Sequence, residues 1–337
     1  MNERATNDFD DSDEPRGETE SPSRRKFLEC MSWAGTGVVW TIAGGVPYSL
    51  GLIGEAKAQE VGGLSFLQIS DSHIGFAKPA NPNVKGTFEE AIDRIAAMPV
   101  KPSFMIHTGD ITHLSKESEF DDAAQIISRA QLQTYYVPGE HDVMDPEVKA
   151  FRDRYGRGTK GSGWYSFDTN GVHFLGLVNV VSGGRFMSLV DVDSAGPKAG
   201  GLGVLGEEQL AWIADDLKGR AASTPIVVFA HVPLWAVYPT WGWGTEDGAR
   251  ALSHMKRFGS VTVLNGHIHQ VMQKVEGNVT FHTAFATAYP QPAPGTAPKP
   301  GPMKVPADKL RSVLGTTSIT FKPNERRLAI VDAPLQA

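Results

Sequence analysis

The chain has 337 residues, 41% hydrophobic and 21% charged, with a formal net charge of −6. That composition suits one large or two modest globular domains with a full buried core. The first 58 residues hold 10 acidic and 6 basic side chains, so the remainder is nearly neutral, and this excludes a basic footprint for nucleic acid. Cys30 is the only cysteine, so a chain processed beyond it has neither thiolate ligands nor disulfides, and any metal must be held by nitrogen and oxygen.

In chain order, Met1–Glu20 is acidic and poor in apolar residues, a composition that predicts disorder. Ser23-Arg24-Arg25-Lys26-Phe27-Leu28 then precedes Met31–Ile53, an apolar, glycine-rich stretch with no charged residue, and Ala56-Lys57-Ala58 follows. The pattern resembles a twin-arginine secretion signal cut after Ala58, which implies contact with the twin-arginine export machinery and a periplasmic or otherwise exported product. A membrane anchor is the alternative, because 23 uncharged residues are long enough to span a bilayer. The glycines and Pro47 weaken such a helix, so no permanent anchor is expected. Cys30 lies before the apolar stretch, which argues against a lipoprotein.

From Gly63 onward short apolar runs alternate with amphipathic stretches. Strands are predicted at Leu64–Ser70, Ser103–His107, Thr134–Val137, Val172–Val178, Pro225–Ala230 and Val261–Leu264. Helices are predicted at Phe88–Ala97, Glu117–Ala130, Glu147–Tyr155, Glu207–Leu217 and Ala249–Phe258. A strand-rich ending follows at Val271–Val275, Val279–Thr283, Thr316–Phe321 and Arg327–Val331. The alternation predicts an α/β sheet core in a single domain over 59–337. Seven prolines in Pro290–Pro306 predict an extended surface loop.

Five fragments each follow a predicted strand: Asp71-Ser72-His73, Gly109-Asp110, Gly139-Glu140-His141-Asp142, His231 and Gly266-His267-Ile268-His269. Loops leaving strand ends are where open α/β sheets bind ligands, and they bring sequence-distant side chains into one crevice. On extended backbone, Asp-x-His and His-x-His would each send two side chains to the same side. The three glycines allow tight turns.

The order Asp-x-His, Gly-Asp, Gly-x-His-Asp, His, Gly-His-x-His resembles the signature of the calcineurin-like metallophosphoesterases. The likeness covers about 200 residues from Asp71 to His269. It implies a four-layer sandwich, two central mixed sheets flanked by helices. It further implies two divalent or trivalent transition-metal ions (Fe, Mn or Zn). Asp71, His73 and His269 would bind one ion, Asp110 would bridge, and Glu140, His231 and His267 would bind the second. His141 would serve as general acid while a hydroxide shared by the metals attacks a phosphate ester or diester.

Two positions depart from the family pattern. Glu140 stands where the family has asparagine, adding a negative charge that favours tighter metal binding and a diester over a more highly charged monoester. His113 stands where many members have an aspartate that orients the general acid; it would either do so as a neutral acceptor or face solvent. Trp241 and Trp243 sit in an aromatic stretch after His231 and would either wall a substrate site or form a local core. His107, His173, His254 and His282 read as core or surface residues, and nothing in the spacing supports phosphate contact by Arg185 or Arg250. The expected function is an exported phosphoesterase, with a phosphodiesterase ahead of an acid-phosphatase-like monoesterase; a non-catalytic scaffold keeping the fold is the rival from another class.

Overall fold

The computed structural model describes residues 63–144, 148–180, 202–322 and 328–336, with backbone alone for 38–43, 46–51, 181–182 and 185–186. The predicted leader and its cleavage point at Ala58 lie outside the described residues, apart from two strands, β1 (Val38–Ala43) and β2 (Val46–Gly51), which pair antiparallel. The chain continues with β3 (Leu64–Ile69), β4 (Phe104–His107), β5 (Thr134–Tyr136), β6 (Tyr165–Thr169) and β7 (Val172–Gly176). A short pair, β8 (Val181–Ser182) and β9 (Arg185–Phe186), precedes β10 (Ile226–Phe229) and β11 (Val261–Asn265). The last strands are β12 (Met272–Glu276), β13 (Val279–Thr283), β14 (Gly315–Phe321) and β15 (Ala329–Pro334). Helices are α1 (Val84–Ala96), α2 (Glu117–Ser128), α3 (Lys149–Tyr155), α4 (Glu207–Leu217) and α5 (Gly248–Ser253).

Two mixed sheets form the centre. One has the order β15-β14-β3-β4-β5, the other β12-β13-β11-β10-β7-β6. In the first, β3, β4 and β5 run parallel; in the second, β7, β10, β11 and β13 do. Strand alternation makes each sheet two-faced. Val227 and Phe229 of β10 join Phe66, Phe104 and Phe174 in the core between the sheets, whereas Ile226 and Val228 point the other way. That outer face is covered by Leu210, Ile213 and Leu217 of α4 and Ala251 of α5. The outer face of the first sheet, Leu67, Ile69 and Met105, is covered by α1, α2 and α3. The buried stripe of α1, Val84, Phe88, Ala91, Ile92 and Ile95, has the spacing of one helical face. The four-layer arrangement is therefore the expected one.

Two details differ from the sequence expectation, and one agrees with it. The helix expected at Ala249–Phe258 stops at Ser253, after which turns closed by i→i−3 bonds still carry Met255 and Phe258 into the core. β6 was not expected; it pairs with β7 across Asn170-Gly171, both at positive φ (48° and 76°), as a tight two-residue hairpin turn requires. Pro290–Pro306 contains no regular element, as expected.

Candidate metal centre

The ends of β3, β4, β5, β10 and β11 meet where the two sheets converge. The Gln68 amide of β3 donates to the Asn265 carbonyl of β11 (3.1 Å), fastening one sheet to the other just below the ligand loops. Beyond β3 and β4 the loops zip together: Asp71 N–H donates to Gly109 C=O (3.0 Å), His73 to Asp110 (2.9 Å) and Ile74 to Ile111 (3.0 Å). Beneath them His107 accepts from Gly109 N–H at Nδ1 (3.3 Å), which leaves Nε2–H to donate to Ser72 Oγ (3.0 Å); that hydroxyl donates to Ile111 C=O (2.9 Å). His107 is thus a core residue, but one that ties two ligand loops together.

Asp71, His73, Asp110 and His269 form one group of potential ligand atoms, and Glu140, His231 and His267 another, each within 4.8 Å. Asp110 stands between them, with Oδ2 3.4 Å from both His73 Nε2 and His231 Nε2. Glu140 reaches His267 Nδ1 with one oxygen and His231 Nε2 with the other, both at 3.0 Å. All seven residues are buried. The structure therefore brings together every expected metal ligand.

The backbone reason differs from the expectation. Asp71 (φ 52°), His73 (41°), Asp110 (53°), His267 (69°) and His269 (53°) all adopt left-handed conformations rather than extended ones. Each costs roughly 1–2 kcal/mol for an L-residue, strain that concentrates at functional sites. His267 and His269 accordingly go to different groups. Of the three motif glycines only Gly109 has positive φ (93°). At Gly139 and Gly266 the requirement is space, because a Cβ would collide with Asp110 Oδ1 and Ser70 Oγ respectively.

Several of these atoms lack partners. Glu140 Oε2, His231 Nε2 and His267 Nδ1 are buried without a hydrogen bond, although they lie close together. Groups packed at 3.0 Å without bonding directions are aimed at a common point, and buried polar atoms without partners are costly. Imidazole and carboxylate donors without sulfur suit transition metals such as Mn, Fe or Zn. The residues therefore fit a pair of cations. The electrostatics agree: burial would push the Asp71 carboxyl up, but His269 and His231 hold it down at about 2. Burial would likewise raise Glu140, yet His267 and His231 hold it well below the usual range.

The imidazoles are oriented from behind. His231 Nδ1–H donates to Thr108 C=O (2.7 Å) and His269 Nδ1–H to Tyr289 C=O (2.6 Å), which directs both Nε2 atoms into the centre. Tyr289 also stacks on His73, with centroids 4.9 Å apart. The next residues tether the proline-rich segment: Gln291 Nε2 donates to His267 C=O (2.9 Å), and Gln270 donates to the carbonyls of Gln291 and Pro292.

His141 lies beside both groups. Its Nδ1–H donates to the His113 carbonyl (2.8 Å), and its own N–H donates to Asp110 Oδ1 (3.0 Å). Burial lowers its pKa, but the Asp110 and Glu140 carboxylates outweigh that and raise it. The main chain of residue 113, not its ring, orients His141; the ring stacks on His141 (4.8 Å, 18°), and its Nδ1 sits 3.4 Å from His73 Nδ1. Neither of the two roles expected for His113 describes this arrangement.

Of the two readings for Trp241 and Trp243, the packing matches the local core. They are 5% and 1% exposed and pack on each other and on Ile268 as a local core, with Ala297 of the proline-rich loop alongside. Burial leaves them no face for a ligand. Arg250 pairs with Glu207 at the surface. A cavity of about 550 Å³ lined by Trp235, Lys256, Glu276 and Phe281 contains none of the ligands. Sequence reasoning allowed His107 a core position but missed its tie between two loops, and it gave Ser72 and Tyr289 no role; a histidine two residues before Gly109, at the end of a strand leading to a ligand loop, was the available signal for the first.

Comparison with known proteins agrees with this geometry. The family model for calcineurin-like phosphoesterases matches residues 64–271. A relative in Rhodopseudomonas palustris, a probable cyclic nucleotide phosphodiesterase, is 27% identical over 135 residues, which is 39% of this chain and 42% of that protein. The match thus spans less than half of the relative's length. A dimetal phosphatase from Danio rerio shares the fold (TM-score 0.55, 14% identity, 80% of this chain and 98% of that one). So does a purple acid phosphatase from yellow lupin (TM-score 0.53, 12% identity, 81% and 52%).

Proposed function

The chain belongs to the calcineurin-like phosphoesterase family, and we propose that it is an exported phosphodiesterase working at a binuclear metal centre. The observation that carries this reading is the convergence of two buried ligand groups, with unpartnered atoms, beside an imidazole with a free nitrogen. Asp71, His73 and His269 would hold one ion and Glu140, His231 and His267 the other, with Asp110 shared. When bound, two such ions supply Lewis acidity and lower the pKa of a shared water. His141 has Nδ1 committed to the His113 carbonyl, so Nε2 is left to protonate the leaving oxygen, and the nearby carboxylates favour the protonated ring that this role needs.

Glu140 supports a diester substrate. Two unit charges about 4 Å apart interact by about 4 kcal/mol at an effective dielectric near 20, so an added carboxylate penalises a dianionic monoester more than a monoanionic diester. The likeness to a probable cyclic nucleotide phosphodiesterase is consistent with this. Purified chain is expected to contain two transition-metal ions and to cleave a chromogenic aryl phosphodiester faster than the aryl monoester. Glu140→Asn should shift that ratio toward the monoester by about tenfold or more. Absence of both metal and turnover would leave only a scaffold.

The export half of the proposal rests on Arg24-Arg25, the uncharged stretch and Ala56-Lys57-Ala58. Among the described residues no helix is long and apolar enough to cross a membrane. Protein recovered outside the cytoplasm should begin at Gln59, and replacing both arginines by lysine should hold it inside.

A further inference from the structure

We propose that Glu119 is a positioning residue for His141, acting across the single peptide that separates them; this rests on the phosphodiesterase reading above. The peptide joining His113 to Leu114 is bonded at both ends. Its C=O accepts from His141 Nδ1–H (2.8 Å), and its N–H donates to Glu119 Oε2 (2.7 Å). Imidazole, peptide and carboxylate thus form one chain of hydrogen bonds that run in the same direction, so each bond strengthens the next. Where many family members place an aspartate at position 113, this chain has its carboxylate one peptide further back.

Glu119 is also the third residue of α2, a place from which glutamate commonly reaches back to cap a helix. The distances decide between the two roles. Glu119 Oε2 lies 3.5 Å from the Lys116 nitrogen, the capping contact, against 2.7 Å from that of Leu114. A hydrogen bond weakens steeply over that range, and a carboxylate on a main-chain N–H at the shorter distance makes a strong, charge-assisted one. The Glu119 side chain is buried, and it fits there because Gly75 has no Cβ to collide with the carboxylate. Beside it Ser115, at a positive φ of 53°, donates through its hydroxyl to His141 C=O (2.7 Å) and accepts from Met144 N–H (2.9 Å). His141 is therefore held at its main chain by Ser115 and at its ring by the peptide that Glu119 fixes. Nε2 is left with one direction.

Glu119→Gln separates the roles, because glutamine also closes a capping box and still offers Leu114 N–H an oxygen, but without the charge. Glu119→Ala removes the acceptor altogether. The readout is kcat on methyl aryl phosphodiesters, since a phenol leaving group needs protonation more than the acidic para-nitrophenol does. For the phenyl ester kcat is expected to fall about 3–10-fold in Glu119→Gln and about 10–100-fold in Glu119→Ala, with KM within about twofold. The para-nitrophenyl ester should lose about threefold at most. In a His141→Ala background Glu119→Ala should change kcat by less than about twofold, because the group it positions is gone. Glu119→Gln as fast as wild type assigns Glu119 to the cap alone and overturns the proposal. So does a loss that is equal for both leaving groups, or one that persists in His141→Ala. These outcomes leave the phosphodiesterase reading standing, whereas a wild-type chain without turnover overturns both.

Discussion

Two clusters of histidine and carboxylate in this molecule, one half-exposed and one buried, do opposite things. At the outer edge of the second sheet, His173 bonds Asp168 through Nδ1 (3.0 Å) and Asp216 through Nε2 (2.7 Å). Arg220 grips Asp168 with two bonds, and Ser166 donates to Asp216 (2.6 Å). Every group there has a partner, so the cluster is finished as it stands. At the candidate metal centre the same residue types lie as close, at 3.0 Å, yet Glu140 Oε2, His231 Nε2 and His267 Nδ1 make no hydrogen bond. Composition does not separate these two clusters; the convergence of several buried atoms with unmet bonding capacity does.

The comparison is sharpest where one substitution should damage only one side of it. Asp110→Asn takes away the carboxylate shared by both ligand groups, and turnover should fall about 10³-fold or more, with metal lost and far-ultraviolet circular dichroism unchanged. A folded Asp110→Asn that retains both ions would show that the two groups do not depend on a bridge. Trp243→Ala should cost about 3–5 kcal/mol of stability, read as a lower denaturation midpoint, while KM for a diester stays put; a KM effect in folded protein would return the indoles to the substrate. Asp216→Asn should cost about 1–3 kcal/mol and leave metal content intact.

The last substitution also has a pH signature. Burial raises the Asp216 carboxyl, but His173, Ser166 and Arg220 together hold it below its ordinary 3.8. The unfolded chain therefore takes this proton more readily than the native one. The contribution is complete above the ordinary value and disappears as pH falls through the lowered one. The stability gap between wild type and Asp216→Asn should accordingly narrow below about pH 4. A gap that stayed constant from pH 7 to pH 3 would mean that the cluster is not held by charge.

Much of the fold was legible because periodicity reports burial: the runs around Phe66, Phe104, Val227 and Val263 are strands, and the stripe Leu210, Ile213, Leu217 is a helix face. The ligands were legible as residue types behind strands. Their backbone was not, since left-handed φ at Asp71 or His267 is imposed by the zipped loops and not by local preference. Nor was the use of the His113 carbonyl, because main-chain partners leave no trace in residue identity. The Asn170-Gly171 hairpin was readable and was passed over. The tryptophans stayed open between two readings because a locally packed loop and a binding wall share one composition.

The tethers of Tyr289, Gln291 and Pro292 make the proline-rich segment a lever resting on two candidate ligands, His269 and His267. Evolution, or an engineer, seeking a roomier entrance by trading this segment for a longer one would have to splice downstream of Pro292. A graft that began any earlier would shift His267 and His269 before it widened the entrance.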